Sequence, residues 1–297
     1  MKILFYHNLI QQAMQSPVTK DISGVLRDTL SSYKPGSTRN LQGHGFKRVC
    51  LQLFGPKGHG KSSLINSCLC VVHNLPFTND AGAGTTAESF ATARIEYKLT
   101  DTVYIVDNRG LNRLTKDERL ELSAQFRNLR STTPVDWEFE LERTVNQLED
   151  RWNNHCTDFI VPVFVHSVDF GSRINIAGTV NRNTEIVPFL RDAFEITGIF
   201  PIVVLTKIQA QNIDKAVNTV EELGSQHIFS LDNYTTTNSV RNMETDSKVL
   251  SFLHMCLQEA DRGIYKKQHL NIQREFIKQA VEQIKAEMKR QKELQKK

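Results

Sequence analysis

Two periodicities alternate along this chain and mark out its elements. Val49-Cys50-Leu51-Gln52-Leu53-Phe54 is a short, mostly apolar run, the pattern of a strand buried on both faces. From Ser63 the period changes: Leu64, Ile65, Cys68, Leu69, Val71 and Val72 recur at helical intervals, predicting a helix to about residue 74. Further buried strands are predicted at 102–107, 159–165 and 201–206, with a half-exposed edge strand at 90–99 and a short strand at 226–231. Pro162 inside one of these runs reads as a bulge or a strand start. Helices are expected at 20–32, where Ile22, Leu26 and Leu30 share a face, and at 185–197, 212–223 and 246–260. A charge-rich stretch at 115–152 reads as mixed helix broken at Pro134, and no internal repeat is visible.

Strands alternating with helices predict an α/β fold of three layers, a mostly parallel sheet with helices on both faces, plus a long C-terminal helix. Three regions follow from this reading. Residues 1–46 form an N-terminal helix ended by Pro35-Gly36 and a polar linker, 47–262 the α/β domain, and 263–297 a basic amphipathic helix. In that last region, residues 265–297 hold ten Lys/Arg against four Glu, whereas the whole chain carries only +4. Ile277, Val281, Ile284 and Met288 draw a narrow apolar seam along it, suited to docking on the domain or on a partner.

Composition narrows the class only a little. A hydrophobic share of 39% and a charged share of 24% in 297 residues fit a globular domain with a sizeable core. The mild net charge gives no argument for nucleic acid. Five cysteines, three of them within the predicted strand and helix of the core, suggest reduced thiols and a cytoplasmic setting. No apolar run approaches 18 residues, and the N-terminal Ile3-Leu4-Phe5-Tyr6 is short for a secretion signal. His155-Cys156 and the tryptophans Trp137 and Trp152 read as structural.

The informative stretch lies between the first strand and its helix. Gly55-Pro56-Lys57-Gly58-His59-Gly60-Lys61-Ser62 fits the phosphate-binding pattern G-x-x-x-x-G-K-[ST] in the context it needs. Glycines let the backbone curl its N–H groups toward phosphate oxygens, and the helix start adds a positive dipole end. Gly55, Gly58, His59, Gly60, Lys61, Ser62 and Ser63 are therefore nucleotide-binding candidates, with Lys61 reaching the terminal phosphates and Ser62 ligating Mg²⁺. Asp107 and Gly110 form D-x-x-G at the end of a strand, where an Asp holds Mg²⁺ through water and a Gly N–H meets the γ-phosphate. Asn108 after that Asp departs from the acidic residue an AAA-type or helicase ATPase would carry. Thr85 and Thr86 lie in the segment that would supply another Mg²⁺ ligand; sequence does not choose between them, and Thr86 is taken as the candidate.

Thr206-Lys207-Ile208-Gln209 stands where a guanine-binding [NT]-K-x-D would close a strand. Lys207 would lie across the base, while Gln209 offers an uncharged acceptor where two donors need a carboxylate. Guanine preference is expected to weaken by roughly 1–3 kcal/mol. Asn233, in Asp232-Asn233-Tyr234, reads either as a last base-side contact or as a plain polar turn. Leu111 follows Gly110 where a water-orienting Gln often sits, so slow hydrolysis is expected unless Lys57, His59 or Arg109 substitutes. Lys57 either lends positive charge to the transition state or points to solvent, and His59 is read as facing solvent. Lys57, Lys61 and Thr86 are the catalytic candidates.

The order Leu53-Phe54-Gly55-Pro56-x-Gly58-x-Gly60-Lys61-Ser62-Ser63 with Asn66-Ser67, Thr85-Thr86, Asp107-x-x-Gly110-Leu111, Leu205-Thr206 and Asn233-Tyr234, preceded by Tyr33-Lys34-Pro35, resembles the interferon-induced protein 44 family over about residues 20–262. The resemblance implies a cytosolic, GTPase-like fold, GTP held at Lys61, Ser62, Thr86 and Asp107, and a part in innate immune response. Lys57, His59 and the basic C-terminal helix depart from that family's pattern.

These readings lead to one expectation and two alternatives. The first is a Mg²⁺-dependent guanine-nucleotide switch, binding GTP and GDP, with slow or partner-activated hydrolysis. The second is a non-hydrolysing scaffold whose helix 265–297 contacts a protein partner, a second copy or, weakly, an acidic membrane surface. The third is a small-molecule phosphotransferase, for which no acceptor-binding lid is evident.

Overall fold

A computed structural model of the chain describes residues 22–82, 94–108, 110–111, 116–128, 157–168, 186–207 and 213–294. Six strands form one sheet in the order β2-β3-β1-β4-β5-β6. They are β1 (Arg48–Phe54), β2 (Ile95–Lys98), β3 (Val103–Asp107), β4 (Asp158–Ser167), β5 (Ile202–Thr206) and β6 (Ile228–Leu231). Every neighbouring pair is parallel except β2 with β3, so the antiparallel member is the edge strand. The central strands β1, β4 and β5 are buried almost throughout. That burial explains their unbroken apolar runs, because helices cover both faces.

Two cores result. On one face α1 (Ile22–Ser32), α2 (Lys61–Val72) and α6 (Met243–Leu294) pack on the inward side chains Val49, Leu51 and Leu53, together with Val161 and Val163. On the other, α3 (Lys116–Phe126), α4 (Ile186–Thr197) and α5 (Ile213–Glu222) cover Cys50, Phe54, Phe164 and Val203. Phe54 anchors this second core, with Phe189 edge-on at 4.8 Å and Phe126 at 5.8 Å between ring centroids. The three-layer α/β reading is borne out. Among the described residues no helix is long and apolar enough to cross a membrane.

Three features differ from the expectations above. Pro162 lies inside β4, opposite Gln52 of β1, neither at a bulge nor at a start. A parallel ladder tolerates it because a residue's N–H serves one neighbour only, so the loss is one rung at most. The helix expected at 246–260 and the basic helix beyond it are one continuous element of 52 residues. Gly263 makes that crossing possible, since a Cβ there would meet the Phe159 ring at 2.5 Å and Ile199 at 3.0 Å. The polar stretch after α1 is not a loose linker either. Ser37–Arg39 forms a 3-10 turn fastened to α6 through the fully buried Asp261. Asp261 Oδ1 accepts from the Tyr33 hydroxyl and the Gly36 N–H, each at 2.6 Å. Its Oδ2 accepts from the Thr38 N–H and hydroxyl, each at 2.7 Å.

Candidate functional site

The carboxyl ends of the parallel strands meet along one edge of the sheet. The chain leaves β1 for β3 on one side and β4 on the other, and open α/β sheets hold ligands at such a reversal. Every described candidate residue lies on this edge: Gly55 to Ser63 follow β1, Asp107 ends β3, Gly110 comes just after it, Thr206 ends β5, Lys207 follows, and Asn233 follows β6. Thr85, Thr86 and Gln209 lie outside the described residues, as do Arg109, Cys156, Trp137 and Trp152.

The loop after β1 is bent by its glycines, with φ of 145° at Gly55, 79° at Gly58 and 88° at Gly60. At Gly55 the demand is also steric, because a Cβ would lie 2.1 Å from the Val165 carbonyl oxygen. Gly60 caps α2, so the first turn of the helix opens into the loop. Lys61 is buried, and its Nζ donates to the carbonyls of Gly55 and Pro56 at 3.1 Å each. Burial lowers its pKa to about 8 against the opposing pull of Asp107. The Ser63 carbonyl accepts from the Ser67 hydroxyl at 2.8 Å.

Asp107 faces the same hollow. Its Oδ2 accepts from the Ser62 hydroxyl at 3.0 Å, while its Oδ1 is buried without a hydrogen-bond partner. Burial pushes this carboxyl up, against the Lys61 ammonium, the Ser62 hydroxyl and the neighbouring Asn108 N–H. A half-satisfied buried carboxylate beside a hydroxyl is a donor set suited to a hard cation such as Mg²⁺. The Asn108 amide fixes the turn beyond β3 by donating to the Leu53 carbonyl at 2.9 Å.

The turn carrying Gly110 lies directly against the loop. A Cβ on Gly110 would come within 2.6 Å of the Lys57 Cα, and the Leu111 N–H donates to the Gly55 carbonyl at 2.9 Å. The Gly55 oxygen thus serves both Lys61 and Leu111. Lys57 itself is exposed, whereas Leu111 is buried in the second core.

His59 corrects the expectation of a solvent-facing ring. It is 1% exposed, and its Nδ1 accepts from the Ser167 N–H at 2.9 Å. The ring lies 4.9 Å from that of His166. Burial, then His166 and the lysines nearby, lowers the His59 pKa to about 3, and burial lowers that of His166 to about 4. Both rings are neutral at physiological pH, and His59 therefore brings no positive charge to the loop. Thr206 clamps the loop by donating its hydroxyl to the His59 carbonyl at 3.0 Å. Asn233 donates Nδ2 to the Gly60 carbonyl at 3.3 Å while its Oδ1 is buried without a partner. Lys207 is exposed at φ 53°, a left-handed conformation that costs a lysine about 1 kcal/mol and marks the end of β5.

Sequence reasoning passed over His166 and Ser167 at the end of β4, beneath the loop, where His166 Nδ1 and Ser167 Oγ are buried and unpartnered. No motif flags them; only the register of β4 beside β1 puts them there. Asn66, in the helix that follows the loop, accepts from the Ala81 N–H at 2.8 Å and donates to Asn79 at 3.0 Å. The opposite edge of the sheet brings Cys50, Glu96 and Asp158 within 4.8 Å of one another. Arg48 ion-pairs with both acids there, at 3.3 Å and 2.5 Å, so the group reads as an ion-pair cluster. No protein-family model matches this chain, and no curated protein does.

Proposed function

We propose that the hollow at the carboxyl edge binds a nucleoside triphosphate with Mg²⁺, in the manner of a P-loop GTPase-like protein. One observation carries the reading. A buried lysine at a helix start turns back onto the carbonyls of its own glycine loop, beside a carboxylate with one unpartnered oxygen. Polyphosphate oxygens are better partners for that ammonium than peptide carbonyls, and the N-terminus of α2 adds its dipole. Ser62 and Asp107 would hold the cation, which supplies charge neutralisation for the phosphates. Gly55, Gly58 and Gly60 admit the backbone to the phosphate chain, and Thr206 and Asn233 keep the loop in shape. Lys207 is the described candidate for the base. GTP is the preferred nucleotide from the order of the motifs, and an innate immune role rests on the resemblance to the interferon-induced protein 44 family alone.

Binding without efficient turnover is the second reading, favoured by Leu111. A buried leucine cannot orient an attacking water, and its N–H is committed to the loop. Lys57 remains the described candidate for transition-state charge, since its exposed side chain stems from the backbone that Gly110 touches.

Titration with fluorescent GTP and ATP tests the reading. Wild type is expected to bind with Mg²⁺, and Lys61→Ala to lose roughly a hundredfold in affinity, as for a desolvated charge-assisted contact. No binding by wild type removes the site; equal affinity for both nucleotides removes the guanine preference. Single-turnover hydrolysis then separates the switch from the non-hydrolysing scaffold.

A further inference from the structure

The second half of α6 leaves the body of the protein. Up to Ile264 the helix buries Val249, Leu250, Leu253, Cys256, Leu257 and Ala260 in the first core. Lys267 still lies over the Phe159 ring at 4.9 Å, and Gln268 still donates to the Gln42 carbonyl at 2.7 Å. Beyond that point the described side chains to residue 290 are exposed or nearly so. Yet Leu270, Ile272, Phe276, Ile277, Val281 and Ile284 are apolar, and they are 42–72% exposed. An isolated helix of this kind is marginal in water, and six large apolar groups on it ask for a cover.

The arrangement around the helix axis distinguishes the possible covers. At about 100° per residue, Leu270, Ile277, Val281 and Ile284 fall within about 60° of one another. As a coiled-coil seam the sequence run Ile277, Val281, Ile284 and Met288 lasts less than two heptads, with Arg274 separating it from Leu270 and Gln291 ending it. Ile272 and Phe276, the two most exposed of the six, lie outside that seam, and a second helix would leave them in water. Together the six span about half the circumference, a width that a flat apolar layer covers and a single helix does not. The other half is charged. Lys278, Lys285 and Lys289 sit next to the seam edge, Lys278 pairing with Glu275 at 2.6 Å and Lys285 with Glu282 at 2.8 Å in exposed pairs that a charged surface can exchange. Residues 269–290 carry five basic against three acidic side chains, and the wider stretch 265–297 ten against four. His269, Gln273, Ala280 and Gln283 dilute the apolar half and Arg290 lies at its edge, which suits lying at a surface and not crossing one.

We infer that residues 269–290 of α6 are an interfacial helix for an anionic lipid surface, apolar half toward the acyl chains and lysines toward the headgroups. The charge complementarity fixes the sign of the surface, and the width of the apolar arc fixes its flatness. The inference is independent of the nucleotide reading, because it concerns a segment remote in sequence from the loop and its partners.

Co-sedimentation of the full chain with vesicles of phosphatidylcholine containing 30% phosphatidylserine tests it. Binding is expected to the mixed vesicles, roughly tenfold weaker at 0.5 M salt, and to be lost on pure phosphatidylcholine. Ile277→Glu with Ile284→Glu, and separately Lys278→Glu with Lys285→Glu, are each expected to reduce binding tenfold or more with an unchanged thermal midpoint, since all four side chains are exposed. Absence of wild-type binding to anionic vesicles overturns the inference, as does binding that both double variants retain. A concentration-dependent dimer in sedimentation equilibrium that Ile277→Glu abolishes, without vesicle binding, overturns it in favour of a second copy of the chain.

Discussion

Two buried aspartates, Asp261 in α6 and Asp107 at the end of β3, meet the demands of burial in opposite ways. Asp261, in the body of α6, is fully buried, and each of its oxygens accepts two hydrogen bonds. Asp107, at the end of β3, is also buried, and one of its oxygens accepts nothing. Both carboxylates incur the cost of leaving water. At Asp261 four donors offset it, and the stretch 33–38 is thereby fixed to the helix that backs the sheet. At Asp107 the cost is left half compensated, beside a buried ammonium. On the nucleotide reading proposed above, that unspent capacity is what a cation and phosphate would take up.

The sharpest way to break the comparison is Asp261→Ala. It strands the Tyr33 hydroxyl and the Gly36 and Thr38 donors, so a loss of roughly 3–5 kcal/mol is expected in urea unfolding. Nucleotide affinity per folded molecule is expected to stay near wild type. A loss under 1 kcal/mol would mean that water replaces the carboxylate without cost and that the contrast is false.

Acid is the next largest perturbation, and it acts on the carboxyl edge. His59 and His166 have folded pKa values of about 3 and 4, below the ordinary 6.5. Groups lowered in this way contribute stability that is fully present above the unfolded value and lost as pH falls through it toward the folded one. Between pH 6.5 and about 4 the unfolded chain binds protons that the folded chain refuses, at up to about 1.4 kcal/mol per pH unit for each ring. Thermal midpoints measured from pH 7 to pH 5 are expected to fall, and less steeply in His166→Asn. Equal slopes for wild type and variant would refute the assignment to that ring.

The smallest effect, and the most diagnostic, is expected of Asp107→Asn. The folded pKa of Asp107 is raised, so its contribution favours folding at low pH and is lost as pH rises through the folded value. At neutral pH the charge is therefore a cost. The Asn variant should be as stable as wild type or up to about 1 kcal/mol more stable without nucleotide, the gain vanishing in acid. Its Mg²⁺-dependent nucleotide affinity should fall about tenfold or more. A clear loss of stability in the nucleotide-free variant would place Asp107 with Asp261 as a structural residue.

Much of this architecture is legible in the residues themselves. β1, β3, β4 and β5 are unbroken apolar runs because both faces of the sheet are covered, and period alone locates them to within a residue or two. The glycines at 55, 58 and 60 announce a curled loop, because a side chain there would meet backbone or require a disfavoured φ. What local pattern could not give was anything made by residues distant in sequence. The burial of His59 depends on His166 and Ser167, about 108 positions away, and on the parallel register of β4 beside β1. The anchoring of the stretch after α1 depends on Asp261, which looks like any charged helix residue until the fold closes around it. The unbroken course of α6 turns on Gly263, a residue that disfavours a helix in isolation and permits this one only because Phe159 and Ile199 stand so close. The sequence by itself determined which groups the loop offers, since backbone conformation and residue type are local. Only the tertiary structure decided which of those groups are satisfied, because hydrogen-bond partners and desolvation come from elsewhere in the chain.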